Sequence, residues 1–280
     1  MRHQLFALTA RLRNERPMGR SLFRNTVGPS LVLALAACGG GGNRPNISPT
    51  SGTLAPEQID SLWSRAEDLL ARRKWSNAIV AFERLQLELP TRDPRRPAAR
   101  FKIAEARLGD KSNLQAVREF RRVADDFPRD SLAAEALKRA GDSYKQLWRR
   151  PELDPTNGAQ AMATYEEVLA RYPGTPAAAA ALSEKSELED DFAIKAFKAA
   201  RFYLRFKAYD AAILYLKDLV ATYPRASIVP EALEKLVDTY RILGYVEEIS
   251  EACTFFRRTH PDAPNLAETC PVPRGAASDS

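Results

Sequence analysis

The sequence has few of the residues on which most enzymes depend. Its 280 residues include two histidines and three cysteines, and only His260 among the histidines lies beyond residue 37. We find no Ser–His–Asp set, no cluster of metal ligands and no glycine-rich phosphate loop. These absences argue against the common classes of catalysis, so we predict a protein that is not an enzyme and holds no metal or cofactor.

Long apolar runs are missing too. The longest, residues 27–37, is about half of the roughly 20 residues that a membrane-spanning helix needs. A basic segment precedes it, and small residues end it, which is typical of a secretory signal peptide. We therefore predict a lipoprotein-type signal peptide over residues 1–37, with translation starting at Met1 or Met18.

The positive charge of the chain lies mostly in this leader. The formal net charge is +6, and residues 1–37 contribute six arginines and one glutamate, which leaves the remainder close to +1. A nucleic-acid-binding role loses its main support once the leader is removed. We predict no nucleic-acid partner.

Cys38 follows the apolar run directly. The residues before it, Leu35, Ala36 and Ala37, resemble the lipobox of bacterial lipoproteins. This resemblance implies that Cys38 becomes the first mature residue and carries a diacylglycerol and an N-acyl lipid, and several acyl chains anchor a protein firmly. Gly39 stands where many inner-membrane lipoproteins have Asp, so the resemblance implies the periplasmic face of the outer membrane. The glycine-rich segment that completes residues 38–56 is predicted to be a flexible tether.

The two remaining cysteines, Cys253 and Cys270, leave two alternatives open. An oxidising compartment allows them to form a disulfide. In the other alternative, Cys253 is a buried free thiol and Cys270 lies in a loose segment.

A phrase that ends in proline recurs five times within a helical apolar pattern. Positions twelve, eight and five residues before each proline share one helix face, and the first of them is small in four of the five copies. The small residues are Ala78, Ala116, Ala161 and Ala212, with Ile249 in the fifth copy, and the large residues four positions later are Phe82, Phe120, Tyr165, Leu216 and Cys253. Proline then stops each helix.

This phrase resembles the second helix of a tetratricopeptide repeat. It predicts an all-α fold, an α-solenoid of about five tetratricopeptide-like helix pairs over residues 57–264, with a disordered tail over residues 265–280. Two longer spacings between prolines indicate insertions. We predict a lengthened loop at residues 148–158 and extra helix at residues 176–191.

The most specific resemblance lies in residues 192–244, which include "ARFYLRFKAY" and "PEALEKLVDTYRILG". This stretch resembles the BamD (YfiO-like) family of lipoproteins of the outer-membrane β-barrel assembly machinery, although Ala196 stands where the family usually has an acidic residue. The resemblance implies a non-enzymatic scaffold. It would bind the barrel-inserting subunit through its C-terminal repeats and receive the C-terminal signal of unfolded outer-membrane proteins with its N-terminal repeats. It would also bind other lipoproteins of the machinery. The alternative is a repeat lipoprotein of another envelope system, such as a pilus secretin pilotin or a Tol/cell-division coordinator.

Candidate partner-binding residues fall into two groups. Lys195, Lys198, Arg201 and Arg205 share one side of a long predicted helix, where they form either a basic stripe for an acidic partner or a solvated face. Trp63 and Trp148 are candidate anchors or packing residues. Nearby aromatic residues fit either the core or a docking patch: Phe197, Phe202, Tyr203, Phe206, Tyr209 and Tyr215.

Overall fold

A computed structural model describes residues 54–271. The predicted leader, the lipobox and Cys38 lie outside the described residues, as do nearly all of the predicted tether and the end of the tail. No helix within residues 54–271 combines the length and the apolar character that a membrane crossing requires.

The described residues form helices and no strands. Ten helices of 13 to 30 residues are followed by one short helix. They are α1 (Pro56–Ala71), α2 (Trp75–Glu88), α3 (Arg96–Gly109), α4 (Asn113–Asp126), α5 (Ala133–Lys145), α6 (Thr156–Arg171), α7 (Pro176–Arg205), α8 (Tyr209–Thr222), α9 (Val229–Leu243), α10 (Val246–Thr259) and α11 (Leu266–Thr269). Each long helix packs against its neighbours in the chain, which gives five consecutive helix pairs. The predicted α-solenoid is confirmed.

Prolines mark the boundaries of the pairs. The repeated prolines, from Pro90 to Pro261, each lie two residues after the second helix of a pair. Other prolines lie in the first turn of α1, α3, α7 and α9, where the missing N–H leaves no hydrogen bond unmade. In four of the pairs, the turn between the two helices contains a residue with a positive φ, in the left-handed region. These residues are Arg73, Lys111, Lys207 and Gly244.

The predicted core positions are buried as the phrase requires. The four repeated alanines have no exposed surface, and the large residues four positions later are fully buried in the first four pairs. Tyr165 illustrates how tight the packing is, because a Cβ on Gly141 would lie 2.5 Å from its ring. Four clusters of buried residues follow one another along the array, so the core is a continuous layer between the helices.

Both predicted insertions are present, but the loop differs from the predicted residues 148–158 because α6 already begins at Thr156. Residues 146–155 connect α5 to α6 without a helix, and the extra residues after Thr175 extend α7 to 30 residues. The Thr175 side chain accepts a hydrogen bond from the Ala178 backbone N–H, which caps the start of this long helix.

The C-terminal end departs from the predicted tail. Residues 265–271 are folded, because Cys270 is bonded to Cys253 of α10 and α11 packs against α9 and α10. Arg241 donates to the Thr269 carbonyl, and Arg257 donates to the Cys270 carbonyl at 3.2 Å. We call residues 261–271 the C-terminal cap. Within the cap, α11 packs against both helices of the fifth pair.

Replacing Cys270 with serine tests how strongly the C-terminal cap depends on the disulfide between Cys253 and Cys270. The disulfide joins two residues that are 17 positions apart in the sequence. In the chain-entropy model, closing a loop of this length stabilises the folded state by about 3 kcal/mol. We expect Cys270→Ser to lower the melting temperature by several degrees and to speed amide exchange in α10 and α11, with α1–α4 unchanged. The control is the wild-type chain after reduction, which should match the variant. Unchanged melting and exchange in both samples would contradict this account.

Candidate partner-binding surfaces

The structure divides the predicted basic stripe into two parts. The Lys195 ammonium donates to the carbonyls of Pro151 at 3.0 Å and Leu153 at 2.9 Å. Lys198 forms an ion pair with Glu152, and this contact holds the pKa of the Glu152 carboxyl below its usual value. Both lysines therefore hold the loop between α5 and α6 against α7. Their positive charges are thus used in contacts within the chain, and these two lysines form no basic surface for an acidic partner in this structure.

Arg201 and Arg205 form the other part. Both side chains are exposed, and neither forms an ion pair within residues 54–271. The Arg205 guanidinium lies over the rings of Phe202 and Phe206, at 5.8 and 5.6 Å from the ring centroids. This stacking holds the cation beside two exposed aromatic rings.

The two tryptophans are packing residues to different extents. Trp148 is 5% exposed, and its ring centroid lies 4.4 Å from that of Phe192. A Cβ on Gly158 would lie 2.3 Å from the same indole, so glycine makes room for it. Trp148 therefore offers no surface to a partner in this structure. Trp63 is half-buried and meets Phe82 edge to face at 5.7 Å.

Exposed apolar side chains concentrate at the turns of the last two pairs. Phe202 and Phe206 flank the turn from α7 to α8, and Ile242, Tyr245 and Val246 flank the turn from α9 to α10. The two turns belong to consecutive pairs of the array. We call these five residues the apolar edge.

The turns of the first two pairs are mostly charged, although Leu114, which is 51% exposed, flanks the turn from α3 to α4. These turns carry Arg72, Arg73 and Lys74, then Asp110 and Lys111, all exposed. Three of the five apolar residues, by contrast, are more than 60% exposed: Phe206, Ile242 and Val246. Exposed apolar side chains that are grouped at a turn are candidates for an interaction site. The two phenylalanines were among the aromatic candidates predicted from the sequence, and the other three residues were not. The sequence feature that could have indicated them is the presence of apolar residues on both sides of Gly244.

A second candidate surface is an open groove of about 570 Å³ on the first helices of the N-terminal pairs. Leu70, Trp75 and Leu108 supply its apolar wall. Lys102 and Glu105 lie on α3 and pair with each other at 2.9 Å. We call this the N-terminal groove. Its mixed lining suits a peptide segment that has both apolar and charged groups.

One family model and several curated proteins match most of this chain. The family model YfiO, described as an outer membrane lipoprotein, matches residues 56–254. The outer membrane protein assembly factor BamD of Caulobacter vibrioides is 26% identical over 80% of this chain and 72% of its own length. BamD of Neisseria meningitidis serogroup A is 25% identical over 85% of this chain and 91% of its own length.

Among solved structures, the TPR domain of P58(IPK) is 16% identical, with a TM-score of 0.40, over 76% of this chain and 54% of its own. The names of the two relatives describe an assembly factor rather than an enzyme, in agreement with the sequence analysis.

Replacing Lys195 with methionine tests its role in holding the loop. The change removes charge-assisted hydrogen bonds to two carbonyls, each of which contributes on the order of 1.5–3 kcal/mol before solvent exposure is considered. We expect amides of residues 149–156 to exchange about tenfold faster, since 1.4 kcal/mol corresponds to a factor of ten. Arg201→Met is the matched control because it lies on the same helix without loop contacts. Equal exchange in both variants would show that Lys195 does not hold the loop.

Proposed function

Because the chain belongs to the YfiO family of outer membrane lipoproteins, we propose that it is a non-enzymatic scaffold in the assembly and insertion of β-barrel outer-membrane proteins. The family match over residues 56–254 and the names of the curated relatives support this role. The apolar edge of the last two pairs is the structural observation that supports a docking role.

In this proposal, the apolar edge binds the periplasmic part of the barrel-inserting subunit. Phenylalanine and arginine are enriched in protein interfaces relative to the rest of the surface, and Phe202, Phe206 and Arg205 form such a group. Charged turns in the first two pairs are less suited to a dry interface, since burial of a charge costs free energy unless it is paired. The C-terminal pairs thus supply the docking surface.

Unfolded outer-membrane proteins bind at the opposite end of the array, in the N-terminal groove. The groove is open, so a segment of chain enters it without rearrangement of the helices. Other lipoproteins of the machinery bind the remaining surface of the array.

The scaffold is held at the periplasmic face of the outer membrane by lipids on Cys38. Three acyl chains give firm attachment, whereas one chain gives only marginal binding. Fifteen residues separate Cys38 from Leu54, and at full extension they span at most about 50 Å. This length lets the array reach partners that project from the membrane into the periplasm.

Replacing Phe206 with glutamate tests the docking surface. Phe206 is 65% exposed, so the change leaves the core intact but places a charge in the interface. We expect affinity for the barrel-inserting subunit, measured by pull-down from mild-detergent extracts and by titration, to fall tenfold or more, as for an interface residue that carries about 2 kcal/mol.

Leu87→Glu is the matched control, because Leu87 is 87% exposed on α2, far from the apolar edge in the array. It should leave the affinity unchanged. A similar loss in both variants, or no loss with Phe206→Glu and Val246→Glu combined, would contradict the proposed surface. Recovery of a secretin or peptidoglycan-associated proteins in place of a large barrel protein would favour the alternative envelope systems.

A further inference from the structure

An apolar groove lies between the second helices of the last two pairs. The helices α8 and α10 both pack against α9, and together the three border an open space of about 310 Å³. Its apolar lining consists of Val220 of α8, Leu233 and Leu236 of α9, and Ala252 and Phe255 of α10. We call this space the C-terminal groove. Its volume is at the lower end of the range for binding sites, so it suits a few side chains of a ligand.

The α10 wall of this groove is acidic. Glu248 and Glu251 line it, both are exposed, and neither forms an ion pair within residues 54–271. Burial raises the pKa of the Tyr240 phenol in the same lining, and the negative charges of the two glutamates raise it further. Both carboxylates therefore lie close enough to the groove to act on a group inside it.

Two cations lie near the groove, and neither pairs with these carboxylates. Lys217 lines the α8 wall, and Arg258 of α10 lies outside the lining with its guanidinium carbon 5.8 Å from the centroid of the Phe255 ring. No ion pair of either side chain occurs among the described residues. The two glutamates at the start of α10 thus remain available to a cation that a ligand supplies.

The lining favours a helical ligand over an extended one. All of its residues belong to α-helices, whose internal backbone N–H and C=O groups are already hydrogen-bonded. An extended segment would bury its own backbone groups against this lining without partners, which costs free energy. A helix satisfies those groups internally and presents apolar side chains at positions i, i+4 and i+7 on one face.

We propose that the C-terminal groove binds an amphipathic α-helix of a partner protein, with the apolar face of that helix on Leu236 and Phe255 and a basic residue beside Glu248 and Glu251. The apolar lining supplies the contact area, and the two carboxylates select a helix with basic residues on its flank. This site is separate from the apolar edge, because it lies between helices and not at the turns. The inference therefore goes beyond the proposed docking of the barrel-inserting subunit.

The test is fluorescence polarisation with the lipidated protein in nanodiscs of zwitterionic lipid, with empty nanodiscs as the blank. The probes are two labelled alanine-rich peptides of roughly 18 residues, long enough to form helices, with the same leucine face. One carries arginines beside that face, and the other carries glutamates at the same positions. We expect the arginine peptide to bind at least tenfold more tightly, because like charges across an interface repel each other. The combined change Glu248→Lys and Glu251→Lys should reverse this preference.

Glu247→Lys is the matched control, because Glu247 is exposed in the first turn of α10 but does not line the groove. It should keep the preference for the arginine peptide, as should Phe206→Glu at the apolar edge. Equal binding of both peptides to the wild-type chain, or an unchanged preference in the double variant, would overturn the proposal. Absence of binding by either peptide would overturn it too, and would leave docking at the apolar edge standing. Equally tight binding of an arginine peptide interrupted by prolines would show that the groove takes an extended segment instead.

Discussion

The close approach of helices across the repeated alanines is the contact on which the array depends. Each of these alanines lies near the start of a second helix, where any larger side chain would separate that helix from its neighbours. The phenylalanine, tyrosine or leucine four residues later fills the space beside the contact. Ile249 replaces alanine in the fifth pair and is only partly buried, and this is the pair that receives the C-terminal cap. Small residues therefore set the spacing of the first four pairs, and a covalent bond supplements packing in the last.

An array of this kind separates stability from function along its length. Because each pair contacts mainly its neighbours, the exposed residues of one pair change with little effect on distant pairs. The apolar edge and the N-terminal groove illustrate this separation, since one is exposed apolar surface at turns and the other is a lined groove on first helices. The contacts that Lys195 and Lys198 of α7 make with the loop before α6 stabilise the fold rather than form a docking surface. Together with Trp148, which packs against Phe192, they hold the ten-residue loop of the insertion against α7.

The sequence was sufficient for the fold because its signals are local. The spacing of alanine, aromatic residue and proline lies within a single helix, so the five pairs, their boundaries and their core positions followed from it. Contacts between distant residues were not accessible in this way. Lys195 meets carbonyls more than 40 residues away, and nothing near Lys195 in the sequence distinguishes it from Arg201. Trp148 is buried because Phe192 and Gly158 surround it, and only the folded chain brings the three together. The disordered tail was predicted from the composition of residues 265–280. Composition does not reveal that the disulfide of Cys270 holds the first of these residues against α10.

The C-terminal cap also changes what the end of the array presents to another molecule. Head-to-tail contacts between arrays form a ring where the rotation closes and an open filament where it does not. At this end α11 packs against α9 and α10, and the disulfide between Cys253 and Cys270 attaches it covalently. Thermal opening of α11 therefore does not release the segment from the fifth pair, and a second array that stacked there would meet a tethered segment rather than a bare helix face.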